Sequence, residues 1–261
     1  MKITIIGAGS IGGALAKGLA AKSVVEPSDL TLTALHAATL DRYLDLGCRL
    51  SLDNASAVQG ADIVVIAVKP WAVVPLIKEL KPVLDYSKQT VVCLAAGLKS
   101  ADLMPEFARE DGSLPEFVYA IPNTAVEIGE SVTFLSPVTV SDGRLDEVKA
   151  VFDRLGRALV VPEKLLGAGT SLASCGIAFA MRYARAATLG GVELGFKPAE
   201  ALAVVEQTVV GAMKLMEAHG SHPETEIDKV TTPGGMTIKG LNAMESAGFT
   251  AAVIEGLKSA K

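Results

Sequence analysis

Cysteine, histidine and clustered basic charge are all scarce in this 261-residue chain, and each scarcity closes off a class of function. The three cysteines, Cys48, Cys93 and Cys175, lie in apolar segments with no CxxC spacing. They suggest neither a disulfide framework nor a thiolate metal site. The three histidines, His36, His219 and His222, form no HExxH or related arrangement, so no metal chemistry is expected. Lysine and arginine never run four together, and the formal net charge is -5. Nucleic acid and anionic membrane surfaces are poor partners for such a chain. No stretch approaches the roughly 18 uninterrupted apolar residues of a membrane helix. The opening MKITIIGAGSIGG carries a lysine and then apolar residues, but glycines break the run too early for a secretion signal. The expectation is a soluble, cytoplasmic protein without membrane or nucleic-acid partners.

What is present is enough apolar residue to bury a large core: 50% of the chain is hydrophobic and 20% charged. In the first half, short β-branched runs at 2–6, 30–35, 63–67, 90–94, 117–121, 132–135 and 158–161 alternate with helix-like stretches at 10–21, 37–46, 71–80, 100–107 and 142–155. Such alternation predicts βαβ units and a largely parallel sheet covered on both faces. The run IVVIAV at 63–68 is apolar throughout, as a strand buried on both faces should be. The fold class expected is α/β: a Rossmann-type, doubly wound domain over residues 1–161, then an all-helical domain over 162–261.

Between the first strand and the first helix, Gly7, Ala8, Gly9, Ser10, Ile11 and Gly12 fit GxGxxG, directly after Ile6. In that setting Gly7 serves the tight turn, Gly9 the approach of a pyrophosphate, and Gly12 the close packing of helix on strand. The N–H groups of the helix start then face the phosphates. The alternative is a glycine-rich turn without a ligand. An acidic residue at the end of the second strand would bind the ribose of NAD. None stands there: the strand runs into His36, Thr39 and Arg42, which points to NADPH rather than NADH. Ala67, Val68, Lys69 and Pro70 end a buried strand, where ligands of such sheets gather. Lys69 could equally be a solvated charge.

From about residue 162 strand signals vanish, and alanine-rich helical stretches cover 165–194, 198–218, 236–246 and 250–260. The apolar positions cover more than one face of the first two, so these helices need partners. A homodimer through the C-terminal helices is the simplest supply, the alternative being a monomer whose helices all pack on the sheet. VTTPGG, at 230–235, precedes the helix near Met236 and offers bare amides beside Thr231, Thr232 and Thr237. It reads either as a carboxylate site or as an ordinary threonine cap and Pro-Gly turn.

Together these segments resemble the pyrroline-5-carboxylate reductase family over nearly the whole chain, in order. GAGSIGGALAKGL is similar to the family's opening loop and helix, and Asn54 with AVQGADIVVIAVKP to its N-x-E-A-V…A-V-K-P block. Ile121–Thr124 (IPNT) is similar to M-P-N-T, EQTVVGAMKLM to a family helix, and VTTPGGMTIKGL to the signature V-T-S-P-G-G-x-T. Departures fall at Tyr119, where the family pattern has arginine, at 173–179, where it has S-G-S-G-P-A-Y, at Ser56, where it has an acid, and at Thr232, where it has serine.

The resemblance implies reduction of the C=N bond of a cyclic imino acid, 1-pyrroline-5-carboxylate, by hydride from NADPH. It implies Thr237 as donor to the ring nitrogen, Thr232, Gly234 and Gly235 as the carboxylate grip, and Asn123 in the substrate pocket. It also places Asn54 at the cofactor, where His36 is expected from its position after the second strand, and the expected homodimer could be incorporated in larger rings. Two other readings stay open: an oxidoreductase of the hydroxyacid or F420-linked type, and a catalytically silent nucleotide-binding protein.

Overall fold

The computed structural model describes residues 1–260. These divide into two compact units, Met1–Ser174 and the chain from Cys175 onward.

The first unit is built on one eight-stranded sheet. Its strands are β1 (Ile3–Ile6), β2 (Leu30–Thr33), β3 (Arg49–Ser51), β4 (Ile63–Ile66), β5 (Thr90–Cys93), β6 (Glu116–Ile121), β7 (Ser131–Pro137) and β8 (Gly156–Val160). They lie in the order β3-β2-β1-β4-β5-β6-β7-β8. All neighbouring pairs are parallel except β6 with β7. The central strands β1, β4 and β5 are buried at every position, which is why their sequences are runs of mostly β-branched, non-alternating residues.

Helices α1 (Ser10–Ala21), α2 (Ala37–Leu40), α3 (Asn54–Ala57), α4 (Pro70–Leu80), α5 (Ser100–Phe107), α6 (Asp142–Asp153) and α7 (Leu166–Gly169) complete this unit. Two apolar clusters form, one on each face of the sheet. Leu15, Leu19, Val148 and Phe152 close over Ile3, Ile5 and Val65 in the first. Leu76, Ile77, Leu103 and Phe107 close over Ile6, Ile66, Cys93 and Tyr119 in the second. The strand at 49–51 escapes a reading by apolar pattern because Arg49 and Ser51 leave only Leu50 as a signal, and an edge strand needs no more.

Residues 162–174 belong to the first unit, although their composition matches the helices that follow. Leu166 sits in the second cluster, and Gly169 lies so close to Phe134 that a Cβ would come within 2.7 Å of its ring. Composition records that this segment is apolar and helical; it does not record which core receives it.

The second unit contains α8 (Gly176–Glu193), α9 (Pro198–His219), α10 (Pro223–Val230), α11 (Met236–Ser246) and α12 (Phe249–Ser259). A π-helical turn, Thr170–Cys175, precedes α8. Helix α9 starts on Pro198 at N1 and ends on Gly220 at φ 58°, the start and stop signals its sequence carries. Helix α10 begins inside the polar stretch HGSHPETE. His222 is its N-cap, accepting from the Glu224 N–H at 3.3 Å, and Pro223 is N1. Its short, charged sequence has too little apolar periodicity to announce a helix.

The helical run Glu163–Glu193 is long and apolar enough, by length and composition, to cross a membrane, with 11% of its most apolar window buried. A count of uninterrupted apolar residues misses it because Lys164, Arg182 and Arg185 break the run. In α8 and α9, Met181, Leu189, Val204, Met213 and Leu215 are all exposed. So much uncovered apolar surface marks a face built for contact.

Candidate active site

The glycine loop lies at the carboxyl end of β1, between the carboxyl ends of β2 and β4. Gly7 adopts φ 109°, and a Cβ there would stand 2.9 Å from the Ala67 carbonyl oxygen. A Cβ on Gly12 would fall 2.0 Å from the Gly7 carbonyl oxygen, so α1 can meet the loop only through glycine. Gly9 faces open space, with nothing within 4 Å of an added Cβ. It is also the N-cap of α1, and neither a side-chain cap nor an acidic residue occupies the first turn. The N–H groups of Ser10, Ile11 and Gly12 therefore have no partner inside the helix and point toward the same open face. Ala8 contributes differently, since its N–H donates to the Thr33 carbonyl at 2.8 Å and fixes the loop to β2.

One participant carries no signal in the glycine pattern. The Tyr43 hydroxyl donates to the Ala8 carbonyl at 3.3 Å and lies 1.9 Å from where a Cβ on Gly13 would be. The second glycine of the GG pair is thus required by a buried tyrosine thirty residues on.

His36 follows β2 as the exposed N-cap of α2, and Arg42 is exposed a turn beyond it. Asn54 opens α3; its Oδ1 accepts from the Thr33 hydroxyl at 2.7 Å, tying α3 to the end of β2. Ala67 pairs back to β1, its N–H donating to the Ile6 carbonyl at 2.8 Å. Lys69 is exposed at the N-cap of α4, with Pro70 at N1, where no helical N–H is missed. The fold thus gathers Ile6–Gly12, His36, Asn54 and Ala67–Pro70 at one edge of the sheet, beyond the carboxyl ends of its parallel strands. That is where ligands of doubly wound sheets lie.

Asn123 stands at the end of β6, as expected, but it is buried and its side chain is occupied. Oδ1 accepts from the Ala125 N–H at 3.1 Å, and Nδ2 donates to the Ala173 carbonyl at 3.4 Å. The Ser174 hydroxyl donates to the Pro122 carbonyl beside it, at 3.4 Å. The first duty of Asn123 is therefore to tether the π-helical turn to the sheet.

In the second unit, the expected carboxylate loop is a tight turn between α10 and α11. The Thr231 hydroxyl is spent on the end of α10, donating to the Ile227 carbonyl at 3.0 Å. Gly235 caps α11, and its N–H donates to the Thr232 carbonyl at 2.9 Å. This corrects the expectation that the Gly235 N–H is an open donor. The turn must close on itself before it can present anything else, and a Cβ on Gly235 would crowd the Thr232 hydroxyl at 2.5 Å. The open donors are instead Gly234, at φ 71°, and the first-turn N–H groups of Met236 and Thr237. No acidic residue lies in that first turn. Thr232, Gly234 and Thr237 are all exposed, so the turn offers amides and two hydroxyls to an anion from solvent.

The turn's approach is braced by a charged cluster. Glu226 Oε1 accepts from Lys229 Nζ at 2.7 Å and from the Ser221 hydroxyl at 2.5 Å, and lies 3.1 Å from His219 Nδ1. These bonds, the lysine's first, hold the Glu226 carboxyl down to about 2. His219 thus helps hold α10 to α9, while His222 caps α10 itself.

Comparison with known proteins bears on both units. Residues 163–261 match the model of a pyrroline-5-carboxylate reductase dimerisation domain, and residues 2–97 match that of a coenzyme F420-dependent NADP oxidoreductase. Pyrroline-5-carboxylate reductase of Methanosarcina acetivorans is 34% identical, covering 98% of this chain and 94% of its own. Pyrroline-5-carboxylate reductase 1 of Dictyostelium discoideum is 35% identical over 98% of this chain, which spans 48% of that relative's length. The crystal structure of Plasmodium falciparum pyrroline carboxylate reductase with NADP bound superimposes with a TM-score of 0.88, at 23% identity, covering all of this chain and 95% of that one.

Proposed function

This chain belongs to the pyrroline-5-carboxylate reductase family of NADP-linked oxidoreductases, and we propose that it reduces 1-pyrroline-5-carboxylate to L-proline with hydride from NADPH. The single observation that carries the reading is the conjunction, in one chain, of an unblocked glycine cradle at Gly7–Gly12 and an anion-receiving turn at Thr232–Thr237.

In this reaction the bound cofactor supplies hydride. The remaining requirements fall on the protein. Hydride addition to the imine carbon pushes the C=N electron pair onto nitrogen, so nitrogen must carry or receive a proton for a neutral amine to result. An imine that arrives protonated needs no strong general acid, which fits the absence of any histidine assigned to this role. We assign the Thr237 hydroxyl as the hydrogen-bonding group for the ring nitrogen. To the carboxylate we assign the Thr232 hydroxyl and the amides of Gly234 and Met236, a position that the start of α11 also favours. Asn123 acts by fixing the segment around Ala173, and Ile6–Gly12, Asn54 and Ala67–Pro70 hold the dinucleotide.

The preference for NADPH over NADH rests on the end of β2, where no carboxylate stands and His36 and Arg42 are exposed. The uncovered faces of α8 and α9 are assigned to a second copy of the chain, and the protein to the cytoplasm.

The test is purified protein mixed with NADPH and 1-pyrroline-5-carboxylate, following loss of the reduced nicotinamide. Turnover is expected, and Thr237→Ala should lower it on the order of 10–100-fold, the loss of one transition-state hydrogen bond. Unchanged turnover in that variant would remove Thr237 from the mechanism. Oxidation of NADPH only by a keto acid would favour the hydroxyacid reading instead.

A further inference from the structure

Helix α10, which leads into the Thr232–Thr237 turn, has eight residues, and none of them is fully buried. Helices shorter than about 12–15 residues are marginal in water, so contacts outside α10 must hold it. Apolar packing supplies little, since Ile227 is half-buried and Val230 is exposed. The bonds of Glu226 supply more. Its side chain is 15% exposed, so they are screened less than those of a surface ion pair.

One carboxylate spans the whole corner. Glu226 Oε1 reaches back to the Ser221 hydroxyl and to His219, the last residue of α9, and forward to Lys229 in the last turn of α10. The bonds continue from there. The Thr231 hydroxyl meets the Asp228 carbonyl at 3.1 Å as well as that of Ile227, and the Thr232 carbonyl accepts from the Gly235 N–H. That last bond fixes the shape of the turn but not its direction, which the helix before it must supply. Thr237 stands on the far side, inside α11. Helix α11 is tied separately to α12, where the Thr250 hydroxyl donates to Glu245 Oε2 at 2.7 Å. A displaced α10 therefore carries Thr232 with it before it disturbs Thr237.

We propose that Glu226 is a positioning residue for the reaction: by locking α10 onto the end of α9, it fixes where the Thr232 hydroxyl and the Gly234 amide meet the substrate carboxylate. This rests on the reading above of that turn as the carboxylate grip. Glu226 touches no reacting atom; it acts through the turn. A grip on a small anion works only while its donors keep one geometry, and a misplacement of about 1 Å can cost on the order of 100-fold in rate. Thr232, Pro233 and Gly234 are all exposed, so the turn has no packing of its own to hold that geometry. The consequence is selectivity: Glu226 should matter for a substrate that carries a carboxylate and little for one that does not.

Two variants of the full chain test this, Glu226→Gln and Lys229→Met. Each breaks the same ionic bond, but they change the charge near the turn in opposite directions. Steady-state turnover with NADPH is compared for 1-pyrroline-5-carboxylate and for 1-pyrroline, the same ring without its carboxylate. In both variants kcat/KM for the carboxylate substrate should fall about fivefold or more, while that for 1-pyrroline changes less than about twofold. Opposite changes in the two variants would mark a through-space effect of charge and overturn the proposal. An equal loss for both substrates would mark a general disturbance, and unchanged selectivity an independent grip; either overturns it too. A native protein that reduces neither imine would count against the proposed function instead. The amide resonances of Gly234, Met236 and Thr237 then judge the brace: those of Gly234 and Met236 should move in both variants and that of Thr237 least, and unmoved signals overturn it.

Discussion

A methyl group added at Gly12 would meet the Gly7 carbonyl oxygen at 2.0 Å, whereas one added at Gly9 would meet nothing. The two glycines therefore fail differently. Gly12→Ala forces backbone apart inside a packed turn and should destabilise the protein by about 1–3 kcal/mol or more, read as a lowered melting temperature. Gly9→Ala should melt like the native protein but bind NADPH roughly tenfold or more weakly, because the Cβ occupies the space a pyrophosphate needs. Equal behaviour of the two variants would mean that the loop is a packing device without a ligand. The same contrast shows what could be read at this scale from residue types alone. The roles of Gly7, Gly9 and Gly12 follow from their spacing after a strand, but that of Gly13 depends on Tyr43, and no local pattern announces it. The engagement of the Gly235 amide was equally hidden, since TTPGG reads the same whether its amides close the turn or face solvent.

Among the elements, the corner between α9 and α10 depends on Glu226. A carboxyl held near 2 in the folded protein and near 4.5 in the unfolded chain stabilises the fold above the higher value. That contribution is lost as pH falls from about 4.5 through 2, when Glu226 takes up a proton and releases Lys229 and Ser221. Protection of the α10 amides, taken against the intrinsic exchange rate at each pH, should fall over that acid range, and Glu226→Gln should show the lower protection already at neutral pH. Exchange that ignores both would leave the cluster without a structural role. Most of the sheet was legible because β1, β4 and β5 are short, mostly β-branched runs without alternation. The edge strand β3 and the helix α10 were not, since a three-residue pairing and a capped charged turn are fixed by neighbours more than by their own periodicity. The segment 162–174 reads as helix from composition, but its place in the sheet's core is decided by Leu166 and by the absent side chain of Gly169.

For the whole molecule, the exposed apolar faces of α8 and α9 must be covered, and the match to a dimerisation domain over 163–261 identifies the kind of cover. Sedimentation should give a dimer, and Met213→Lys, which places a charge on that face, should shift it toward monomer. A native protein that sediments as a monomer, or that partitions onto vesicles, would contradict this. The central claim is that hydride passes from NADPH to the imine carbon of 1-pyrroline-5-carboxylate. Its most direct test is turnover with NADPH deuterated at the transferring position of C4, followed by mass spectrometry of the amino-acid product. The account predicts L-proline carrying a single deuterium on Cδ, formed in step with oxidised cofactor; no proline, or proline without the label while the cofactor is oxidised, would contradict it.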